Sequence, residues 1–415
     1  MATYIPRIVD SELDRALRVA GAVFIKGPRA CGKTATARQV AASEARLDID
    51  SPMTTLAQTD PRTILEGQTP RLIDEWQAVP EVWNAVRHEV DDRQRKGQFI
   101  LTGSATPATD ARRHPGAGRV RSLTMRTMTI SERLGEATAS WTRLIDGTLE
   151  PGPGTEATVA DYANWIVAGG WPGFRDLDPG DAADEVASYL QEMSEHDYPE
   201  IGGMRRDPRR FLSFLRAYAG LVAQPATGAA IRRRIGELSG AEPAPGTVDT
   251  LHDFASRLFL VEDQPAWTTS LRSRTALVQM PKRHLADPSL AASLLGATPD
   301  RLLTDLETLG ILFESQAIHD LRVIAQATRA RGVFHFRDTK GRDEIDAVVE
   351  NPDGSWIGVE VKLSHLHVEA AAEHLQATAA KVQRPPLALV VIIPTGPVVR
   401  LPNGVWVIPL ARLGV

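Results

Sequence analysis

The run GPRACGKT at positions 27–34 constrains this chain more than any other stretch. It satisfies the whole GxxxxGK[ST] pattern, and its neighbours supply the frame that pattern needs. AVFIK at 22–26 reads as a short buried strand entering the loop, and TATARQVAA at 34–42 reads as the helix leaving it. Such a loop turns backbone N–H groups inward, and the positive end of the following helix adds to their pull on an anion. Gly27, Pro28, Arg29, Ala30, Cys31, Gly32, Lys33, Thr34 and Ala35 would then wrap a triphosphate. Lys33 would reach the β- and γ-phosphates, and the Thr34 hydroxyl would ligate Mg²⁺. An ordinary glycine turn requires neither the lysine nor the strand and helix around it. The expectation is a site for ATP and Mg²⁺.

The second half of such a site follows at RLIDE, 71–75, an apolar strand ending in two adjacent carboxylates. Asp74 is placed to serve the Mg²⁺ ion and Glu75 to polarise an attacking water, which favours hydrolysis over binding alone. The plainer alternative is a strand that ends in solvated acids. GQFILTGS at 97–104 reads as the strand beside it, so that Thr102 or Ser104 would sense the γ-phosphate. Strand-end hydroxyls also serve as caps and turn formers. In the arginine-rich segment 112–121, Arg119 is the candidate finger or sensor, supplied within the chain or by a second copy in a homo-oligomer. A solvated basic loop is the alternative.

At 415 residues the chain exceeds what one core organises, so two to three domains are expected. The single cysteine, Cys31, excludes an intrachain disulfide and fits a reducing cytoplasm. No 18-residue apolar run occurs and MATYIPR lacks an apolar leader core, so neither a membrane span nor a signal peptide is expected. A net charge of -5 argues against indiscriminate coating of nucleic acid, while leaving room for local basic patches.

Residues 1–146 alternate short strands with helical stretches, as a parallel α/β domain does. Positions 147–154, GTLEPGPG, read as a linker, opening a linker and helical segment at 147–204. Over 205–305 the pattern gives three amphipathic helices and then a wing strand at 258–265, the layout of a winged helix-turn-helix. Arg205, Arg206, Arg209, Arg210, Arg216, Arg232, Arg233 and Arg234 dominate its charge, a patch suited to DNA or RNA phosphates or, equally, to a protein partner. Residues 306–415 form another α/β unit. There the turn NPDG at 351–354 joins two strands, which brings Asp346 near Glu360 and Lys362 on one sheet face. An Asp followed by Glu-x-Lys is how PD-(D/E)xK nucleases build a Mg²⁺ site. Asp346 and Glu360 would bind the ion, Glu314 would join from the preceding helix, and Lys362 would steady the attacking hydroxide. The alternative is a strand with charges on one face and Val359, Val361 and Leu363 on the other. His365 and His367 lack a third partner and read as solvated.

GPRACGKT, RLIDE, FILTGSA, the pair Gly118 and Arg119, GGWPGF at 169–174, LGILFES at 309–315 and DEIDAVVE with GVEVKLS at 343–364 occur in that order. Together with the winged-helix block they resemble a family of bacterial and archaeal ATP-binding proteins. In that family an AAA-type ATPase is fused to a C-terminal region of unknown function ending in a restriction-endonuclease-like fold. The resemblance implies an ATPase core in which Lys33, Thr34, Asp74 and Glu75 keep their usual roles, and it implies no substrate. Two functions follow. One is an ATP-driven enzyme whose C-terminal module acts on or docks to nucleic acid. The other is an ATP-switched signalling protein with an inactive nuclease-like domain. A nucleotide kinase fits less well, because adjacent Asp74 and Glu75 suit water activation better than transfer to a bound acceptor.

Overall fold

The computed structural model describes residues 4–47, 52–103, 116–198, 207–268, 279–338 and 342–415. Ser104, Arg112, Arg113, His114, Arg205 and Arg206 lie outside the described residues. The chain divides into two compact units, one built on residues 1–127 with 197–206 and 254–259, the other on 128–196, 207–253 and 260–415.

The first unit is a parallel sheet of β1 (Ala22–Lys26), β2 (Ser43–Arg46), β3 (Arg71–Asp74), β4 (Phe99–Gly103) and β5 (Val120–Thr124). Their order is β2-β3-β4-β1-β5, with each neighbouring pair parallel. The continuous apolar runs of the sequence are explained by burial on both faces, the condition of a parallel sheet covered by helices. Alternate residues serve opposite cores. Phe24, Ile73, Phe99 and Leu101 pack with Trp76 and Trp83 on one side, while Val23, Ile25, Leu72 and Ile100 pack with Leu13, Leu17 and Leu123 on the other. The edge-on contacts of Phe24 with Trp76 and Trp83, each with centroids 5.8 Å apart, fill the first core. β4 lies between β1 and β3, so the strand carrying Thr102 borders both the loop strand and the strand carrying Asp74.

The second unit holds β6 (Ala139–Ser140), β7 (Gly152–Thr155), β8 (Gly332–Arg337), β9 (Glu344–Glu350), β10 (Trp356–Val361), β11 (Ala388–Ile393), β12 (Gly396–Arg400), β13 (Trp406–Pro409) and β14 (Leu413–Gly414). Seven of them form one mixed sheet, β7-β12-β13-β11-β10-β9-β8, and β14 pairs with β6. Trp267, Ile345, Val348, Trp356 and Leu375 form one core of this unit. Val368, Ala372, Val391, Ile393 and Val407 form another. The helix Leu306–Ala327 is buried nearly all round from Leu309 to Ala325. Interior polar groups near its middle are paired: Gln316 and His319 both bond Asp320, which also accepts from the Ile130 amide.

Two elements differ from the sequence reading. Within the expected linker, Gly152–Thr155 forms an edge strand against β12. A Cβ on Gly154 would lie 2.7 Å from the Gly396 carbonyl oxygen, so these small residues permit a close backbone approach where a linker was expected. The helices Pro208–Ala219, Gly228–Ser239 and Thr247–Arg257 form as expected. The wing at 258–265 does not form a strand; among the described residues it makes single bridges, Val261 to Leu285 and Gln264 to Lys282. Among the described residues, no helix is long and apolar enough to cross a membrane.

Candidate functional site

β1 delivers the loop, and the loop is tightly held. A Cβ on Gly27 would meet the Met125 carbonyl oxygen at 1.9 Å, so only glycine passes beneath the exit of β5. Ala30 takes a left-handed backbone conformation (φ 59°), and Gly32 (φ 107°) caps the helix Lys33–Arg38. Arg7 clamps the loop from outside, donating to the carbonyl oxygens of Cys31 at 3.0 Å and Arg126 at 2.9 Å. The buried Lys33 ammonium donates to the carbonyls of Gly27 (3.1 Å) and Pro28 (2.7 Å), curled over the place its loop reserves for phosphates. Arg29 pairs with Asp197 at 3.4 Å.

The acids stand beside this loop. The Thr34 hydroxyl donates to Asp74 Oδ1 at 2.8 Å, and the Thr102 hydroxyl donates to the same oxygen. One carboxylate thus gathers the Thr34 and Thr102 hydroxyls that the sequence singled out. Glu75 follows in a left-handed conformation (φ 54°), strain of roughly 1–3 kcal/mol that turns it out of the strand. Gln77 donates to its carboxylate. Gln77 carried no weight in the sequence reading, yet it fixes the acid two positions before it. Thr34 and Asp74 present oxygen donors of the kind Mg²⁺ takes, so these residues fit that ion.

Arg119 lies elsewhere. Its carbonyl accepts from the Ala22 amide at the start of β1, while the loop leaves the end of that strand. Five residues of strand put it roughly 16 Å away. It pairs with Asp91 at 2.6 Å. Sensing of a triphosphate within its own domain is therefore excluded by position.

In the second unit, the hairpin of β9 and β10 sets Ala347 opposite Val359 and brings Asp346, Glu360 and Lys362 together as expected. Lys362 Nζ is 2.8 Å from Glu360 Oε2 and 3.7 Å from Asp346 Oδ2, which also accepts from the Val361 amide at 3.0 Å. Glu314 joins from its helix. The metal expected there does not fit, because a lysine absent from the sequence reading occupies the centre. Lys282 Nζ lies 2.8 Å from Glu314, 3.0 Å from Glu344 and 3.3 Å from Asp346. Among the described residues no group of three or more His, Cys, Asp or Glu is arranged to hold a metal. Burial, then the Asp346 charge, raises Glu360 well above the carboxylate range and Glu314 to about 7. Burial also works against ionised Asp346, but Lys282 and Lys362 hold it below the ordinary value. His365 bonds Thr395 at 2.8 Å.

Residues 20–134 match an AAA domain family. Residues 159–301 and 309–413 match two domains of unknown function, DUF8612 and DUF4143. The first unit carries an AAA-type P-loop domain. The chain is also similar to the uncharacterized proteins Rv2008c of Mycobacterium tuberculosis and Mb2031c of Mycobacterium bovis. Each is 25% identical over 360 residues, covering 85% of this chain and 72% of the relative. Among solved structures it is similar to the Walker-type ATPase paby2304 of Pyrococcus abyssi. That likeness is 15% identical with a TM-score of 0.41, and it covers 70% of this chain and 96% of that one.

Proposed function

We propose that the AAA-type domain binds ATP with Mg²⁺ and hydrolyses it, and that the cycle drives a C-terminal module that docks nucleic acid. The observation that carries the hydrolytic reading is the convergence of Thr34 and Thr102 on Asp74, next to a Glu75 held by Gln77. In this reading the loop amides and Lys33 bind the phosphates. Thr34 and Asp74 hold Mg²⁺, which neutralises charge on the phosphates when bound. Thr102 reports on the γ-phosphate, and Glu75 takes a proton from the attacking water. Arg119 acts on a neighbouring copy.

The docking reading rests on the arginines of the helices Pro208–Ala219 and Gly228–Ser239. A protein partner is the second reading. The ion pair of Arg232 with Glu242 at 3.0 Å favours it by spending part of that basic charge internally.

Purified wild type, Lys33→Ala and Glu75→Gln, compared for ATP binding and phosphate release, test the core of the proposal. Lys33→Ala should lose binding. Glu75→Gln should bind normally and turn over about 100-fold slower or worse, the scale of a lost general base. Equal turnover in Glu75→Gln and wild type would remove Glu75 as the catalytic carboxylate.

A further inference from the structure

Glu314, Asp346 and Glu360 resemble a divalent-cation site in the sequence, and in the fold they bind ammonium groups. Lys282 is 2% exposed, and its backbone is fixed on both sides. Its amide donates to the Gln264 carbonyl at 3.0 Å and its carbonyl accepts from the Gln264 amide at 2.9 Å. A second bridge ties it to Pro225. A lysine so anchored is not a surface charge that has drifted inward. An ammonium has three N–H donors and no acceptor, and three carboxylates surround this one. Their distances of 2.8, 3.0 and 3.3 Å suit hydrogen bonds to nitrogen. They are too long for Mg²⁺, which takes its oxygens at about 2.0–2.1 Å, or for Ca²⁺ at about 2.3–2.6 Å.

The remaining charges complete the balance. Lys362 serves Glu360 and the second oxygen of Asp346, and Arg337 reaches Glu344 at 3.9 Å. Four carboxylates thus face three cations drawn from the same chain. A divalent ion entering here would have to displace a buried ammonium and break three ion pairs at once.

We propose that Lys282 is the resident cation of this cluster: it stands where a divalent metal would sit among Glu314, Glu344 and Asp346, and a neutral side chain there opens a latent all-oxygen site for such a metal. The native cluster therefore holds an ammonium, and no divalent ion, among Glu314, Glu344 and Asp346. Exchanging Lys282 removes the ammonium, leaves the acids uncompensated, and makes a small divalent cation the cheapest replacement.

The inference stands apart from the ATPase proposal. Its test is a Mn²⁺ titration of the full chain without nucleotide, read by electron paramagnetic resonance. Lys282→Met should bind one Mn²⁺ per chain more than wild type, and Lys282→Met with Asp346→Asn should lose that extra ion. Wild type and Asp346→Asn should bind equal numbers. A Lys282→Met protein with wild-type circular dichroism and no additional ion would overturn the proposal. So would a wild-type ion that disappears in Asp346→Asn. That second comparison decides the matter alone if Lys282→Met does not fold.

Discussion

The two acid clusters of this chain are built from the same residue types and treated oppositely. Asp74 is met by the hydroxyls of Thr34 and Thr102, and Glu75 by the Gln77 amide, while the nearby Lys33 is turned to backbone carbonyls. Asp346, Glu314, Glu344 and Glu360 are met by Lys282 and Lys362. Neutral donors orient a carboxylate and leave its charge to be used by a cation that arrives. Ammonium donors consume that charge. What decides whether acids form a metal site is therefore the charge of their existing partners, which spacing along a strand does not reveal.

If the first cluster is open in this sense, it should accept cationic help from another molecule. Arg119 is too far from its own loop and pairs with Asp91 on an exposed surface. A finger supplied in trans is worth about 10³-fold or more in turnover. Arg119→Ala should then lose about that factor while binding ATP normally, and wild-type turnover per protomer should fall on dilution. Constant turnover per protomer down to concentrations at which the protein sediments as a monomer would rule the finger out.

The second cluster should be the more fragile of the two. Removing one member of a buried ion pair leaves its partner's charge stranded, at about 3–5 kcal/mol. Losing Asp74 strands only hydroxyl donors, at about 1–3 kcal/mol. Lys282→Ala, which leaves Glu314, Glu344 and Asp346 without their shared cation, should accordingly lower the denaturation midpoint of the second unit much more than Asp74→Ala lowers that of the first. Unit-resolved hydrogen exchange in urea measures both, and equal losses would break the contrast.

How much of this was legible follows from where the determinants lie. The P-loop is contiguous, so its strand, turn and helix could be read together, and Asp74, Glu75 and Thr102 sit at the ends of apolar runs that mark strands. The β9–β10 hairpin was equally visible, through the period of two and the NPDG turn. Gln77 was within reach as a neighbour of Glu75, but nothing in its type announces a partner. Arg7 acts from 24 residues before Cys31, with no pattern to link them. Lys282 was out of reach: it is 64 residues from Asp346 and enters through single bridges, which leave no periodic trace. β7 was hidden because GPGT has no strand propensity and pairs through its backbone alone.

A pH difference is the smallest effect the comparison predicts. Burial and Asp346 raise Glu314 from 4.5 to about 7, so the folded unit holds this proton more tightly than the unfolded chain does. That stabilisation is complete below pH 4.5 and is lost as pH rises through 7. His335 acts oppositely. Burial, then Lys282, lowers it from 6.5 to about 4, so its contribution is present above 6.5 and lost as pH falls through 4. Between 4.5 and 6.5 the two oppose each other, and above 6.5 the carboxyls Glu314 and Glu360, both raised by burial and Asp346, act in the same direction. The second unit should therefore weaken from pH 6.5 to 8, by at most about 1.4 kcal/mol per pH unit from Glu314. Glu314→Gln, which cannot ionise, should flatten that decline. Exchange rates of the β8 and β9 amides across this range report it locally, and an undiminished slope in Glu314→Gln would assign the proton to another group.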